Sequence, residues 1–342
     1  MQPQTVPIAA VQAIVQTARE NGIDDQALDA WLHTAGISPD LLAQGRSRVT
    51  ADQAGRLVKQ LSRISGDELF GLGPYPVPLG TFRLIATALI TAGDLREVLR
   101  RWSGFGQALP GMPRIDTEIG PDRVRIRLDF TNWTETPAVA IDFILMSMHR
   151  YLSWMIGRRL PLLAVELSHP APAGFSHDEI FGRPAEYDTS DAAISFAAEL
   201  LDASIVRDER ELAKFLAETP VNVIVRRDFG TSETDRVRAV LARGLQGGDW
   251  PTPEEIAVRL TTSVSTLRRK LADEGTSFSI IKEELRRDAA ITSLVRGEES
   301  VADLSVRLGF AEPSTFHRAF RRWTGSAPGA YRAAQHGTDP SP

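Results

Sequence analysis

Apolar residues recur every three to four positions along most of this chain, and in one stretch the period drops to two. Residues 7–20, 25–35 and 50–64 read as amphipathic helices, with Thr50 placed to cap the third. Residues 71–78 are rich in turn formers. Residues 81–92 and 94–102 read as two further helices, with Asp94 at the start of the second. Between positions 113 and 130 the pattern alternates strictly. Residues 114–119 and 123–130 flank Gly120-Pro121-Asp122, which predicts a β-hairpin. Residues 138–156 form the most apolar run and predict a long buried helix. Residues 162–167 and 192–196 read as strands, and 207–218 as a charged helix. Pro220, Gly230 and the pair Arg226-Arg227 mark 219–231 as a linker.

Beyond the linker the pattern is helical and repeats. A helix is expected at 235–245. Two short apolar-periodic segments, 254–260 and 265–271, are separated by the polar turn 261–264. Residues 278–296 predict one long helix with Ile281, Leu285, Ala289 and Thr292 on a common face. A second pair follows at 301–308 and 314–323, across a turn at 309–313. Ile256 and Leu260 match Leu304 and Leu308 at an offset of 48, whereas Leu267 and Leu271 match Phe316 and Phe320 at 49. The second turn is therefore one residue longer. Leu267, Leu271, Phe316, Phe320 and Trp323 are expected in the core. That leaves the opposite face of each second helix free, which is how a helix-turn-helix presents a recognition helix to a major groove. Gly275 and Gly309 follow helices where a left-handed residue is favoured. Pro328 and Tyr331 are expected to pack a closing helix, and 334–342 to be a disordered tail.

The run from Leu308 to Arg332, LGFAEPSTFHRAFRRWTGSAPGAYR, closely resembles the signature of AraC/XylS-type transcriptional regulators, and the likeness extends over 232–333. Upstream, Leu79-Gly80-Thr81, Asp94-Leu95-Arg96-Glu97 and the stretch from Ile180 to Tyr187 make residues 1–218 similar to the arabinose-binding-like regulatory domain of one AraC subgroup. The resemblance implies an α+β regulatory domain for effector binding and dimerisation at 1–218, a linker at 219–231, and an all-α DNA-binding domain at 232–333. Two helix-turn-helix units, at about 254–274 and 301–323, would be joined there by the long helix. Mapped onto the family pattern, Ser265, Arg268, Arg269, Pro313, His317 and Arg318 face bases. Thr266, Lys270, Ser314, Thr315, Arg321 and Arg322 face the DNA backbone. Pro313 has no donor to offer, so that family contact is missing. The implied partners are double-stranded promoter DNA, RNA polymerase, a small-molecule effector and a second copy of the chain, in the cytoplasm.

Composition narrows the alternatives. Hydrophobic residues make up 42% and charged residues 24% of 342, an ordinary globular mixture. With no cysteine, disulfides, thiolate metal sites and a cysteine nucleophile are excluded. No secretion signal is expected, and the apolar run 138–156 is broken by Asp142, His149 and Arg150, which argues against a membrane span. The net charge of −5 is uneven. Residues 252–335 carry 13 Lys and Arg against 11 Asp and Glu, with the cations gathered at Arg268-Arg269-Lys270, Arg286-Arg287, Arg318 and Arg321-Arg322.

No phosphate loop, dinucleotide fingerprint, nucleophile elbow or zinc-protease motif occurs, so neither catalysis nor a cofactor is expected. The six histidines show no metal-ligand spacing, and no metal is expected. His149 lies seven residues after Asp142 on one helix face; a buried polar pair is the plain explanation and an effector cavity the sharper one. Trp102, Phe105, Trp133 and Trp154 are core candidates that could also wall such a cavity. Two rival functions stay open: a ligand-independent DNA-binding protein, and an enzyme fused to a DNA-binding domain.

Overall fold

The computed structural model describes residues 4–20, 22–172, 177–219, 232–247, 250–297 and 299–336. The chain opens with strand β1 (Thr5–Pro7), helices α1 (Ile8–Glu20) and α2 (Asp25–Ala35), a 3-10 turn (Pro39–Ala43), strand β2 (Arg48–Thr50) and helix α3 (Ala51–Ser65). Helices α4 (Thr81–Leu89) and α5 (Leu95–Ala108) lead into strands β3 (Arg114–Ile119) and β4 (Arg123–Asp129). Then come α6 (Ala138–Met155), β5 (Leu162–Glu166), α7 (Asp178–Phe181), β6 (Ala192–Ala197) and α8 (Glu209–Ala217). The rest is helical: α9 (Glu233–Gly247), α10 (Pro253–Arg259), α11 (Val264–Asp273), α12 (Phe278–Arg296), α13 (Val301–Arg307), α14 (Pro313–Thr324) and α15 (Pro328–His336). An N-terminal part with sheets thus precedes a helical C-terminal part. No described helix is long and apolar enough to cross a membrane.

Two compact units account for the chain. One comprises residues 13–24 and 57–229, the other residues 1–12, 25–56 and 230–342. The first unit is built on an antiparallel sheet of order β3-β4-β6-β5. The expected hairpin forms in register, with Ile115 opposite Leu128 and Thr117 opposite Ile126. Val124, Ile126 and Leu128 bury one face of β4. Arg123, Arg125 and Arg127 point the other way, as a period of two requires. There Arg125 pairs with Glu166 at 2.5 Å and Asp191 at 2.9 Å, and Arg127 with Asp116 at 2.5 Å. Helix α6 is buried along most of its length. Its Tyr151 sits among Phe82, Trp102, Trp154 and Phe215, and its hydroxyl donates to the Ala86 carbonyl at 2.9 Å. Burial raises the Tyr151 phenol pKa. Asp94 caps α5 by accepting from Glu97 N at 2.9 Å.

The second unit joins the helices α9–α15 to a short N-terminal segment, which was not foreseen in a regulatory domain running unbroken from 1 to 218. Strands β1 and β2 pair antiparallel, with Val6 opposite Val49. The Thr5 hydroxyl donates to Asp288 on α12 at 2.5 Å, and buried Arg48 donates to the same hydroxyl at 2.8 Å. Tyr331 donates to the Arg48 carbonyl, and Gln53 Nε2 donates to Gln335 Oε1 at 3.0 Å. Strands of three residues carry too little periodicity to be seen in sequence. Burial of these polar groups depends on partners nearly 300 positions away: Asp288 accepts from the Thr5 hydroxyl, and Tyr331 donates to the Arg48 carbonyl. Thr50 does cap α3, in a reciprocal box with Gln53. The expected linker lies outside the described residues except for Thr219. Of the expected tail, 334–336 extend α15 and 337–342 lie outside the description.

Candidate functional site

Helix α11, the first candidate reading helix, is set by its caps and its core. Thr252 and Glu255 form a capping box at the start of α10, with Pro253 at the first helical position. Ser263 caps α11 by accepting from Thr266 N at 3.1 Å. Leu267 and Leu271 are buried with Val237, Leu241, Ile256, Ile281 and Leu285. The 100° step of the helix then turns Ser265, Arg268, Arg269 and Lys270 outward, all exposed, with Thr266 half-buried. Lys270 is engaged, pairing with Glu233 at 2.6 Å.

Helix α14, the second candidate, rests on a different floor. Leu304, Leu308, Phe316, Phe320 and Tyr331 are all buried. Gly309 ends α13 at φ +72°, and a Cβ there would lie 2.8 Å from Trp250 Cδ1. Only glycine meets both conditions. Arg286 seals the same corner. It donates to the Leu308 carbonyl at 2.8 Å and the Gly309 carbonyl at 2.9 Å, and lies over the rings of Trp250 at 5.1 Å and Phe310 at 4.7 Å. Arg287 is buried and pairs with Asp288 at 3.2 Å. Arg286-Arg287, one of the places where cations gather, is thus engaged within the protein, Arg286 by carbonyls and rings and Arg287 by Asp288.

On α14, Pro313, Ser314, Thr315, His317, Arg318, Arg321 and Arg322 are exposed. Arg322 pairs with Glu283 at 2.6 Å. Trp323 departs from its expected core position. It is half-buried, and its indole N–H donates to Glu283 at 2.8 Å, since an indole N–H needs a partner that an apolar core cannot supply. One residue at this surface was invisible in sequence. Arg46, from the N-terminal segment, lines a recess of about 430 Å³ together with His317, Arg318, Arg321 and Arg322. No local pattern marks Arg46, which is brought there by the β1–β2 docking.

The sheet-bearing unit holds a cavity of about 360 Å³, walled mainly by apolar groups including Phe70, Phe82, Trp102, Phe143 and Met148. Lys59, Glu68, Arg83 and Ser147 add polar atoms. Of the aromatic candidates only Trp102 lines it. Trp133 is buried against Phe130 and Trp154 against Phe215, while Phe105 is half-buried against the core. Asp142 and His149 are not among its walls.

Nor do Asp142 and His149 pair with each other. Seven residues separate them by roughly 10 Å along a helix, so sharing a face does not bring them into contact. His149 Nε2 bonds instead with the Leu160 carbonyl at 2.9 Å, and burial, helped by the Arg159 charge, pushes its pKa down to about 3. Asp142 meets two histidines from the stretch between β5 and α7. Its Oδ1 lies 3.0 Å from His169 Nε2 and 2.9 Å from His177 Nε2. Burial opposes ionisation of Asp142, but the hydrogen bonds from both histidines outweigh it and hold its pKa below the usual range. The histidines show no metal-ligand spacing along the sequence, yet the fold brings one ligand atom each from Asp142, His169 and His177 within 4.8 Å of one another.

Comparison with known proteins agrees with this architecture. Residues 26–205 match the arabinose-binding domain of AraC transcription regulators, and residues 256–334 match a helix-turn-helix domain. An uncharacterized HTH-type transcriptional regulator of Mycobacterium tuberculosis is 35% identical over 95% of both chains. The ornithine utilization regulator of Pseudomonas aeruginosa is 22% identical over 97% of both. The transcriptional activator NphR of a Rhodococcus species is 33% identical over 41% of this chain and 39% of its own. The chain belongs to the AraC family of transcriptional regulators.

Proposed function

We propose that this AraC-family regulator reads promoter DNA with two helices, α11 and α14, placed in successive major grooves roughly 34 Å apart, one helical turn of the duplex. In this reading α10–α11 and α13–α14 are two helix-turn-helix units, and α12 is the connecting helix that fixes their spacing. Ser265, Arg268, Arg269, His317 and Arg318 read bases. Arginine at these positions can grip guanine O6 and N7 with two parallel hydrogen bonds. Thr266, Lys270, Ser314, Thr315, Arg321 and Arg322 hold the backbone, joined by Arg46. The single observation that carries the reading is that Arg268, Arg269, Arg318 and Arg321 all project from buried-core helices into solvent.

The part of the chain before residue 219 is the regulatory part, and its cavity takes a small, mainly apolar effector with a polar end. A ligand shifts output only through unequal affinity for two states, so it must couple to DNA binding. Activation through RNA polymerase is favoured by the likeness to NphR, itself named an activator. A dimer in the cytoplasm is the expected working form. The test is footprinting of the full-length protein on its own upstream DNA, with and without candidate apolar metabolites. A protected site of two adjacent major-groove segments, altered by one metabolite, is expected. No protection on any promoter would sink the DNA-reading proposal; protection that ignores every metabolite would leave a ligand-independent binder.

A further inference from the structure

Three side chains in the sheet-bearing unit converge without serving the effector cavity. Asp142 comes from α6, His169 from the segment after β5, and His177 from the start of α7. His177 is fully buried and His169 nearly so, while Asp142 keeps about a quarter of its side chain exposed. We propose that Asp142, His169 and His177 bind one divalent first-row transition-metal ion.

The geometry fits such an ion at each level. Two imidazoles and a carboxylate are the donor set that suits zinc, iron, cobalt or nickel, and not calcium or magnesium. In a tetrahedral site with ligands about 2.0–2.2 Å from the metal, neighbouring donor atoms are about 3.3–3.6 Å apart. Here both inner nitrogens lie 2.9–3.0 Å from Oδ1, and all three donors within 4.8 Å of one another. Small side-chain rotations open that grouping to the ion.

The outer nitrogens are already committed. His169 Nδ1 faces the Pro170 carbonyl at 2.9 Å, and His177 Nδ1 faces the Tyr187 hydroxyl at 3.0 Å. A metal-bound histidine gives its remaining N–H to such an outer partner, which fixes ring and tautomer and leaves the inner nitrogen's lone pair for the metal. Protons on the inner nitrogens would also satisfy Asp142, and one cation can replace them. Asp142, the exposed member, marks the way in. Asp178 and Asp188 add negative charge nearby, felt at Tyr187 and His169 respectively. The ion would clamp α6 to the stretch that follows β5, a structural role in the regulatory part of the chain.

The experiment uses the full-length protein, stripped with a chelator and dialysed against Zn²⁺, or against Co²⁺ for its visible d–d bands. One equivalent per chain, a Co²⁺ spectrum of a low-coordinate nitrogen–oxygen site, and a raised melting temperature are expected. Asp142→Asn and His169→Gln should weaken affinity at least a hundredfold. Tyr187→Phe, which keeps the ring and removes the outer partner, should weaken it about tenfold to a hundredfold. Tyr187→Phe and His169→Gln replace the less deeply buried members, so they test the site even if His177 variants do not fold. Three results would overturn the proposal: a folded wild type that takes up neither ion, uptake that persists unchanged in a folded His169→Gln/His177→Gln double variant, or a melting temperature that follows pH identically with and without Zn²⁺.

Discussion

The two helix pairs of the C-terminal part follow one template and are anchored differently. In the first, the turn before the reading helix passes through Thr261, a β-branched residue at φ +54°. In the second, the matching bend uses Gly309 at φ +72°, pressed against Trp250 and locked by Arg286. The cations differ in the same direction. On α11, Lys270 is tied to Glu233. On α14, Arg322 is tied to Glu283 and Arg46 is added from a remote part of the chain. The second pair is braced by Trp250, by Arg286 and Glu283 of α12, and by Arg46 of the N-terminal segment. A repeated motif can therefore keep its pattern of core leucines and phenylalanines while its neighbours decide how rigidly each copy is held.

The largest test of that contrast is truncation of the floor under α14. Phe316→Ala should cost about 3–5 kcal/mol in denaturation of the full chain, because a wholly buried aromatic is lost. Trp323→Ala, at a half-buried position, should cost clearly less. Equal losses would mean that Trp323 belongs to the core after all.

Next come the two turns. Gly309→Ala should destabilise by about 1–3 kcal/mol, since the new Cβ meets Trp250 and the backbone is left-handed. Thr261→Gly should instead be neutral or stabilise by up to ~1 kcal/mol, by relieving a β-branched residue of an unfavourable φ. Melting curves of both variants check this. The asymmetry of the turns is refuted if the two substitutions act alike.

Base reading gives a third comparison. Arg268→Ala and Arg318→Ala should each relax preference at one or two base pairs, costing ~1–3 kcal/mol of discrimination. Binding of each variant to a panel of singly substituted sites separates this from a general loss. If Arg318→Ala weakens every site equally, its role is backbone contact.

The smallest effects are expected at Arg46 and Lys270. Arg46→Ala should weaken all sequences evenly and reduce the salt slope of binding by about one, as removal of a single phosphate contact does. Lys270→Ala should act more weakly still, since Lys270 already pays part of its charge to Glu233. A sequence-dependent effect of Arg46→Ala would move it from backbone to base contact.

Helix and hairpin positions were legible because their signals are local. The alternation over 114–130, the long apolar run of α6 and the offsets of 48 and 49 between the helix pairs each lie within one stretch of chain, and periodicity alone fixed which faces are buried. Capping by Thr50 and Asp94, and the outward turn of Arg268 and Arg318, follow from the same short-range rules. Sequence alone thus determined the helices α11 and α14, their core residues apart from Trp323, and the order of the parts.

Tertiary structure decided what depends on distant partners. Asp142 and His149 share a helix face in sequence, yet their partners are His169, His177 and the Leu160 carbonyl, because a hydrogen bond needs contact within about 3 Å and not a common direction. Thr5 and Arg48 are buried only where Asp288 and Tyr331 meet them. Arg286 is in sequence one of several gathered cations, and only the fold shows two carbonyls and two aromatic rings enclosing it. A charged or polar group takes its role from whatever neutralises it, and in this chain those groups are supplied from far along the sequence, where no periodicity reaches.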